Sequence, residues 1–173
     1  MLSIYIGGSG SGKSLLAEKR VLELACGKKY YLATMEVYGE EGRKKVQRHQ
    51  EMRIDKGFET IEKPRDLVDV IEDKTGTVLL ECMSNLVANE MFRGEEMIPE
   101  DMVVKKVCRE VLALNEKVEN LVIVTNNIFE DGVGYEEETR SYIRALGKIN
   151  ERLVFNAQEV YEVVVGIEVK LKG

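Results

Sequence analysis

Hydrophobic positions along this chain follow two spacings. Short apolar runs, bounded by glycine or polar residues, recur at Leu2–Ile6, Lys29–Thr34, Thr77–Cys82 and Leu121–Asn126, with a weaker one at Phe58–Glu62. Runs of this length without strict alternation predict strands covered on both faces. Between them the spacing lengthens to that of a helix. Lys13–Ala25 carries Leu15, Leu16, Val21, Leu22 and Leu24, the pattern of an amphipathic helix. Met83–Arg93, Glu100–Glu119 and Glu136–Ala157 predict three more helices. Glu41–Lys56 is so polar that it predicts an exposed helix, and Pro64 is placed to start another that runs to about Glu72. Val160–Val165 and Ile167–Leu171 flank Gly166 closely enough to form a hairpin. The alternation predicts an α/β layered domain, with a mainly parallel sheet and an antiparallel edge at its C-terminal end. No repeat or low-complexity linker divides residues 1–173, so a single domain is expected.

Composition narrows the function classes. Apolar residues make up 44% of the 173 residues and charged residues 32%, enough for a buried core and a solvated surface. The net charge of −6 argues against a general nucleic-acid binder, which carries a basic excess. The longest apolar runs are about four residues, far short of the ~20 that a membrane helix needs. Met1–Ile6 has no basic start and no long apolar stretch, so no signal peptide is expected there. Cys26, Cys82 and Cys108 are odd in number and widely spaced, which fits reduced thiols in a cytoplasmic protein.

The chemistry begins at Gly7-Gly8-Ser9-Gly10-Ser11-Gly12-Lys13-Ser14, a full match to G-x-x-x-x-G-K-[ST] between a strand and a helix. Glycines let the backbone curl so that successive amides face phosphate oxygens. The helix that follows offers its positive end to the same anion. Lys13 is expected to reach the outer phosphates, and the Ser14 hydroxyl to ligate magnesium. A dinucleotide fingerprint is excluded, because its third glycine would fall on Lys13. The strand at Val78 ends in Glu81, a carboxylate placed to serve the same Mg2+ ion. The only histidine, His49, lies among Arg43, Lys44, Lys45, Arg48 and Arg53. On a helix, Lys45, His49 and Arg53 would share a face. Flanking cations gather phosphates and disfavour imidazolium, leaving the neutral ring that can attack phosphorus.

Taken in order, several segments carry a family resemblance. They are the loop at residues 7–14, Tyr31-Leu-Ala-Thr34, His49 with Arg53, Phe58-x-Thr60-x-Glu62, and Leu79-Leu-Glu-Cys82 followed by Asn89. Val124-Thr-Asn126, Gly147-x-x-Asn150 and Val163-Val-Val-Gly166 complete the set. The chain resembles, over essentially its whole length, the bifunctional adenosylcobinamide kinases / adenosylcobinamide-phosphate guanylyltransferases of cobalamin biosynthesis. The resemblance implies a P-loop NTPase (RecA-like) three-layer sandwich and a homotrimer. It implies phosphorylation of a corrinoid, adenosylcobinamide, by ATP or GTP. Transfer of GMP from GTP follows, through a guanylyl-histidine at His49. It also implies that Gly7–Ser14, Ala33, Thr34, Met35, Gln50, Glu51, Met52, Arg53, Glu62 and Glu81 bind nucleotide, with Ser14 and Glu81 on the metal.

The chain departs from the family pattern in places. Ser9-Gly10 stands where Ala-Arg is usual, Asn127 where a glutamate is usual, and Gly132-Val-Gly-Tyr135 where Gly-x-Val-Pro is. Tyr142-Ile-Arg144 replaces Phe-Arg-Asp. Most of these fall between residues 126 and 144, so the kinase step is expected to be the more sensitive half. Two other readings of the same residues are a P-loop small-molecule kinase with no covalent intermediate, and a nucleotide-binding protein without turnover.

Overall fold

The central strands owe their nearly continuous apolar sequence to burial on both sides. A computed structural model of the protein describes residues 1–36, 55–68, 70–71, 76–94, 96–128 and 134–173. Its main sheet comprises β1 (Leu2–Gly7), β2 (Lys29–Ala33), β3 (Phe58–Glu62), β4 (Thr77–Glu81), β7 (Asn120–Asn126), β8 (Glu159–Val164) and β9 (Ile167–Lys172). Their spatial order is β3-β2-β4-β7-β1-β8-β9. All neighbours are parallel except β8 and β9, which form the expected antiparallel edge.

The helices are α1 (Lys13–Leu24), α2 (Met83–Met91), α3 (Glu100–Lys117) and α4 (Glu137–Asn156). Alternate strand residues serve opposite layers. Tyr5, Tyr31, Leu79, Val122 and Val124 pack with Ala17 and Val21 of α1. Ile4, Leu32, Val78, Leu80, Leu121 and Ile123 face the other way and pack with α2, α3 and α4. The result is a three-layer sandwich, and β1, inside the sheet, is paired on both sides. No helix among the described residues is long and apolar enough to cross a membrane.

Two expectations are corrected. The helix read from Pro64 to about Glu72 is absent among residues 64–68 and 70–71. Asp66 adopts a positive φ of 52°, which interrupts a helix. The amides of Asp66 and Leu67 donate instead to Glu90 of α2 at 2.8 Å and Glu110 of α3 at 2.9 Å. The helix read as Met83–Arg93 stops at Met91. Phe92–Arg93 (β5) turns back at Gly94 to pair with Glu96–Met97 (β6). The polar helix expected at Glu41–Lys56 lies outside the described residues except for Asp55 and Lys56, which form part of a turn.

Glu90 and Glu110 are nearly sealed from solvent, at 1% and 4% exposure. Lys106 pairs with Glu90, with Asp66 at 2.6 Å and with Glu110 at 3.4 Å, and Arg93 pairs with Glu90 at 2.5 Å. Burial pushes the Glu90 carboxyl up. The Asp66 amide, Lys106 and Arg93 together outweigh it and hold the carboxyl below its ordinary value. Such a group contributes stability above the ordinary glutamate value of 4.5 and loses it as pH falls through the lower folded value. Glu90→Gln should therefore lower unfolding free energy by about 1–3 kcal/mol at pH 7. It should also flatten the decline of Tm below pH 4.5 relative to the parent. Thermal melts from pH 7 to pH 3 test both; a variant curve parallel to the parent's would exclude the assigned carboxylate.

Candidate nucleotide site

The C-terminal ends of the parallel strands converge on the phosphate loop. β1 ends at Gly7, where a Cβ would lie 2.5 Å from the Val163 carbonyl oxygen and 2.6 Å from Ser11 Oγ. Only glycine permits that closure. The Ser11 amide donates to the Gly8 carbonyl at 3.2 Å, turning the chain back. Gly12 then caps α1 with φ 91°, and no acidic residue stands in the first turn of α1 to oppose an anion.

Lys13 opens α1 and folds over the loop. It is buried, and its ammonium donates to the Gly8 carbonyl at 3.0 Å. Burial lowers its pKa from the ordinary lysine value, against the opposing pull of Cys82 and Glu81. A polyanion in the loop would favour the charged form and replace the Gly8 carbonyl as its partner. Ser14, one residue on, donates its hydroxyl to Glu81 Oε1 at 2.5 Å. The other Glu81 oxygen and Ser11 Oγ are buried with no hydrogen-bond partner among the described residues. Ser14 and Glu81 are thus in direct contact beside the loop, and the Glu81 charge acts on Lys13.

Sheet register brings the next group together. Ala33 is the partner of Glu62 on one side and of Glu81 on the other, so three strand ends form a row. The Thr34 amide donates to the Glu81 carbonyl at 3.0 Å and its hydroxyl to the Cys82 carbonyl at 2.7 Å. Met35 remains 40% exposed beside them. Glu62 lies four strand spacings from β1, roughly 19 Å across the sheet. His49, Gln50, Glu51, Met52 and Arg53 lie outside the described residues.

Several supporting residues act across long sequence separations. Asn89 Nδ2 donates to the carbonyls of Thr34 at 2.7 Å and Pro64 at 3.1 Å, tying together the exits of β2 and β3. Arg65 pairs with Glu36 at 2.5 Å on the same flank. Asn89 stood out in the sequence only through its family motif, and its two carbonyl partners had no local signal. Thr125 Oγ1 donates to Asn150 Oδ1 at 2.9 Å, which joins β7 to α4.

Of the unusual residues of the C-terminal half, Gly132 and Val133 lie outside the described residues, while Asn127, Tyr142 and Arg144 separate into two groups. Asn127 adjoins the loop, its amide donating to the Gly7 carbonyl at 3.0 Å. Tyr142 and Arg144 instead join helices. The Tyr142 hydroxyl donates to the Ser84 carbonyl at 3.2 Å, and burial pushes its pKa up to about 12. Arg144 pairs with Glu100 and Glu137.

Comparison with known proteins accords with this arrangement. A solved ATPase domain superposes with a TM-score of 0.53 at 12% identity, covering 93% of this chain and 68% of that one. That likeness is one of fold, and together with the Gly7–Ser14 loop after β1 it gives this chain a P-loop NTPase fold. The Bifunctional adenosylcobalamin biosynthesis protein CobU of Escherichia coli (strain K12) is 28% identical over 190 residues, spanning 99% of this chain and 100% of that protein. The protein of the same name from Salmonella typhimurium is 29% identical over 187 residues, with the same coverage of both. A family model described as cobinamide kinase / cobinamide phosphate guanyltransferase matches residues 3–171. By that match over nearly its whole length, the chain belongs to the cobinamide kinase / cobinamide phosphate guanyltransferase family.

Proposed function

We propose that residues 1–173 form one catalytic domain that performs two steps of cobalamin biosynthesis. In the first, a nucleoside triphosphate, ATP or GTP, phosphorylates the hydroxyl of adenosylcobinamide. In the second, GMP passes from GTP to that phosphate by way of His49, giving adenosylcobinamide-GDP. The convergence of Lys13, Ser14 and Glu81 beneath the Gly7–Ser14 loop is the observation that carries this reading, together with the family match.

The residues supply the electrostatics that both steps share. Loop amides and the start of α1 hold the triphosphate, and Lys13 neutralises charge that develops on the oxygens in transfer. Ser14 Oγ and the unpartnered Glu81 oxygen present two hard oxygen donors side by side, a set suited to Mg2+ completed by phosphate oxygens and water. Such an ion would neutralise phosphate charge and fix phosphate geometry. Ala33, Thr34, Met35 and Glu62, with Gln50, Glu51, Met52 and Arg53, are assigned to the guanine nucleotide.

In guanylyl transfer the neutral His49 ring attacks the α-phosphorus of GTP. A phosphorus–nitrogen bond forms, the α–β anhydride bond breaks, and pyrophosphate leaves. An oxygen of the corrinoid phosphate then displaces the imidazole. In the kinase step the corrinoid hydroxyl attacks the γ-phosphorus, loses its proton, and the nucleoside diphosphate departs. We assign the protein to the cytoplasm as a homotrimer. Exposed Ile167, Val169 and Leu171 on the open edge strand β9, with exposed Phe155 at the end of α4, offer assembly an apolar surface.

Three outcomes test this function. GTP labelled in its α-phosphate should leave an acid-labile, base-stable adduct on the protein, absent in His49→Ala; label that persists in the variant would remove His49 from the mechanism. Lys13→Ala should lower the rates of adduct formation and corrinoid phosphorylation together by about 10²–10³-fold, as read in single-turnover assays. Normal rates in that variant would show that the loop is not the nucleotide site. Asn127 stands beside Gly7 where the family carries glutamate, and an amide cannot accept the hydroxyl proton. Asn127→Glu should raise the kinase rate and leave His49 labelling unchanged. Equal changes in both rates would show that Asn127 does not separate the two steps.

A further inference from the structure

The tip of the β8–β9 hairpin is built against its own local preference. Val164 pairs with Ile167, leaving Val165 and Gly166 as a two-residue turn with φ of 45° and 84°. Glycine, asparagine and aspartate suit such a turn, whereas a β-branched residue in the left-handed region is strained. Val165 is 84% exposed, so packing among the described residues does not explain its presence. The turn is nevertheless held against the phosphate loop. Gly166 donates its amide to the Ser11 carbonyl at 2.8 Å, and a Cβ on Gly12 would come within 3.4 Å of Gly166 Cα. Backbone strain beside a binding loop is a place to look for a ligand contact.

A cleft of about 630 Å³ opens at this junction, within the size range of small-molecule sites. Gly7–Ser11 form one wall, Glu162–Val165 another, and Asn127 and Ile128 a third. Among the described residues, no lysine or arginine lines it, and Glu162 contributes a carboxylate. Phosphates are therefore favoured over the loop amides and repelled from the Glu162 end. A ligand that occupies both ends must be anionic at the loop and neutral beyond it, with an apolar face for valine and N–H or O–H donors for Glu162.

We infer that this cleft holds the base and ribose of the nucleoside triphosphate that donates the phosphoryl group, with Val165 packing on the base and Glu162 accepting from the nucleoside. The inference rests on the proposed kinase function and adds a nucleoside subsite to it. A corrinoid is too bulky to enter except by one side chain. Ala33–Met35 and Glu62, assigned to the guanylyl nucleotide, lie on the opposite flank, across β7 and β4. One phosphate loop would thus receive nucleosides from two sides.

Calorimetric titration of the whole protein with the β,γ-imido analogue of ATP, and separately with inorganic tripolyphosphate, tests the subsite. Asparagine tolerates the left-handed turn and removes the apolar face, so Val165→Asn should raise Tm by about 2–4 °C. It should weaken the imido analogue tenfold or more and leave tripolyphosphate within twofold. Glu162→Gln should weaken the analogue at least threefold, again without effect on tripolyphosphate. Stability and affinity moving in opposite directions is an outcome that a merely structural turn residue would not produce. Unchanged analogue affinity in both variants would overturn the inference, as would a parent protein that binds the analogue no tighter than tripolyphosphate. A rise confined to the KM for adenosylcobinamide would give the cleft to the acceptor instead. A parent protein that binds the analogue as described but forms neither phosphorylated corrinoid nor a His49 adduct would refute the proposed function and leave the subsite standing.

Discussion

The site depends on a close approach at Gly7. β1 runs between β7 and β8 in continuous parallel register, and its last residue lies under both the Val163 carbonyl and Ser11. A single carbon added there would meet the Val163 oxygen at 2.5 Å, and the loop could not close. From that closure follow the curl of residues 8–12, the start of α1 at Lys13, and the placement of Ser14 against Glu81. The packed layers on both faces of the sheet keep the strand ends in register, so chemistry contributed by β1, β2, β3 and β4 arrives in one row.

What was legible in the sequence was local. The strands at Leu2, Lys29, Thr77 and Leu121 could be read because burial on both faces favours apolar residues at most of their positions. The phosphate loop could be read because its glycines, Lys13 and Ser14 are fixed by backbone geometry within eight residues. Glu81 was legible as a carboxylate ending a buried strand. The segment after Pro64 was misread because its conformation is decided elsewhere. Glu90 and Glu110 look like surface residues of amphipathic helices, and become buried by capturing the amides of Asp66 and Leu67. No local propensity records such a capture. Asn89 and the cleft beside Val165 were equally hidden, since each exists only through contacts between distant segments.

Two transfer steps on one loop place different demands on the surrounding residues. In the proposed function, positioning and charge neutralisation at the phosphates are common to both and are assigned to Lys13, Ser14 and Glu81. On that proposal the steps differ in nucleophile: an imidazole in one, an alcohol that must lose a proton in the other. Asn127, touching Gly7 through its backbone, stands where that difference would be set, whereas Tyr142 and Arg144 serve helix packing.

A crystal structure with magnesium and a non-hydrolysable GTP analogue tests the central claim most directly. The account predicts the β- and γ-phosphates on the amides of residues 8–14 and on Lys13 Nζ, released from the Gly8 carbonyl. It also predicts that the hydrogen bond between Ser14 and Glu81 gives way to shared contact with the metal. A triphosphate bound away from the loop, with Lys13 still on Gly8 and Ser14 still on Glu81, would contradict it.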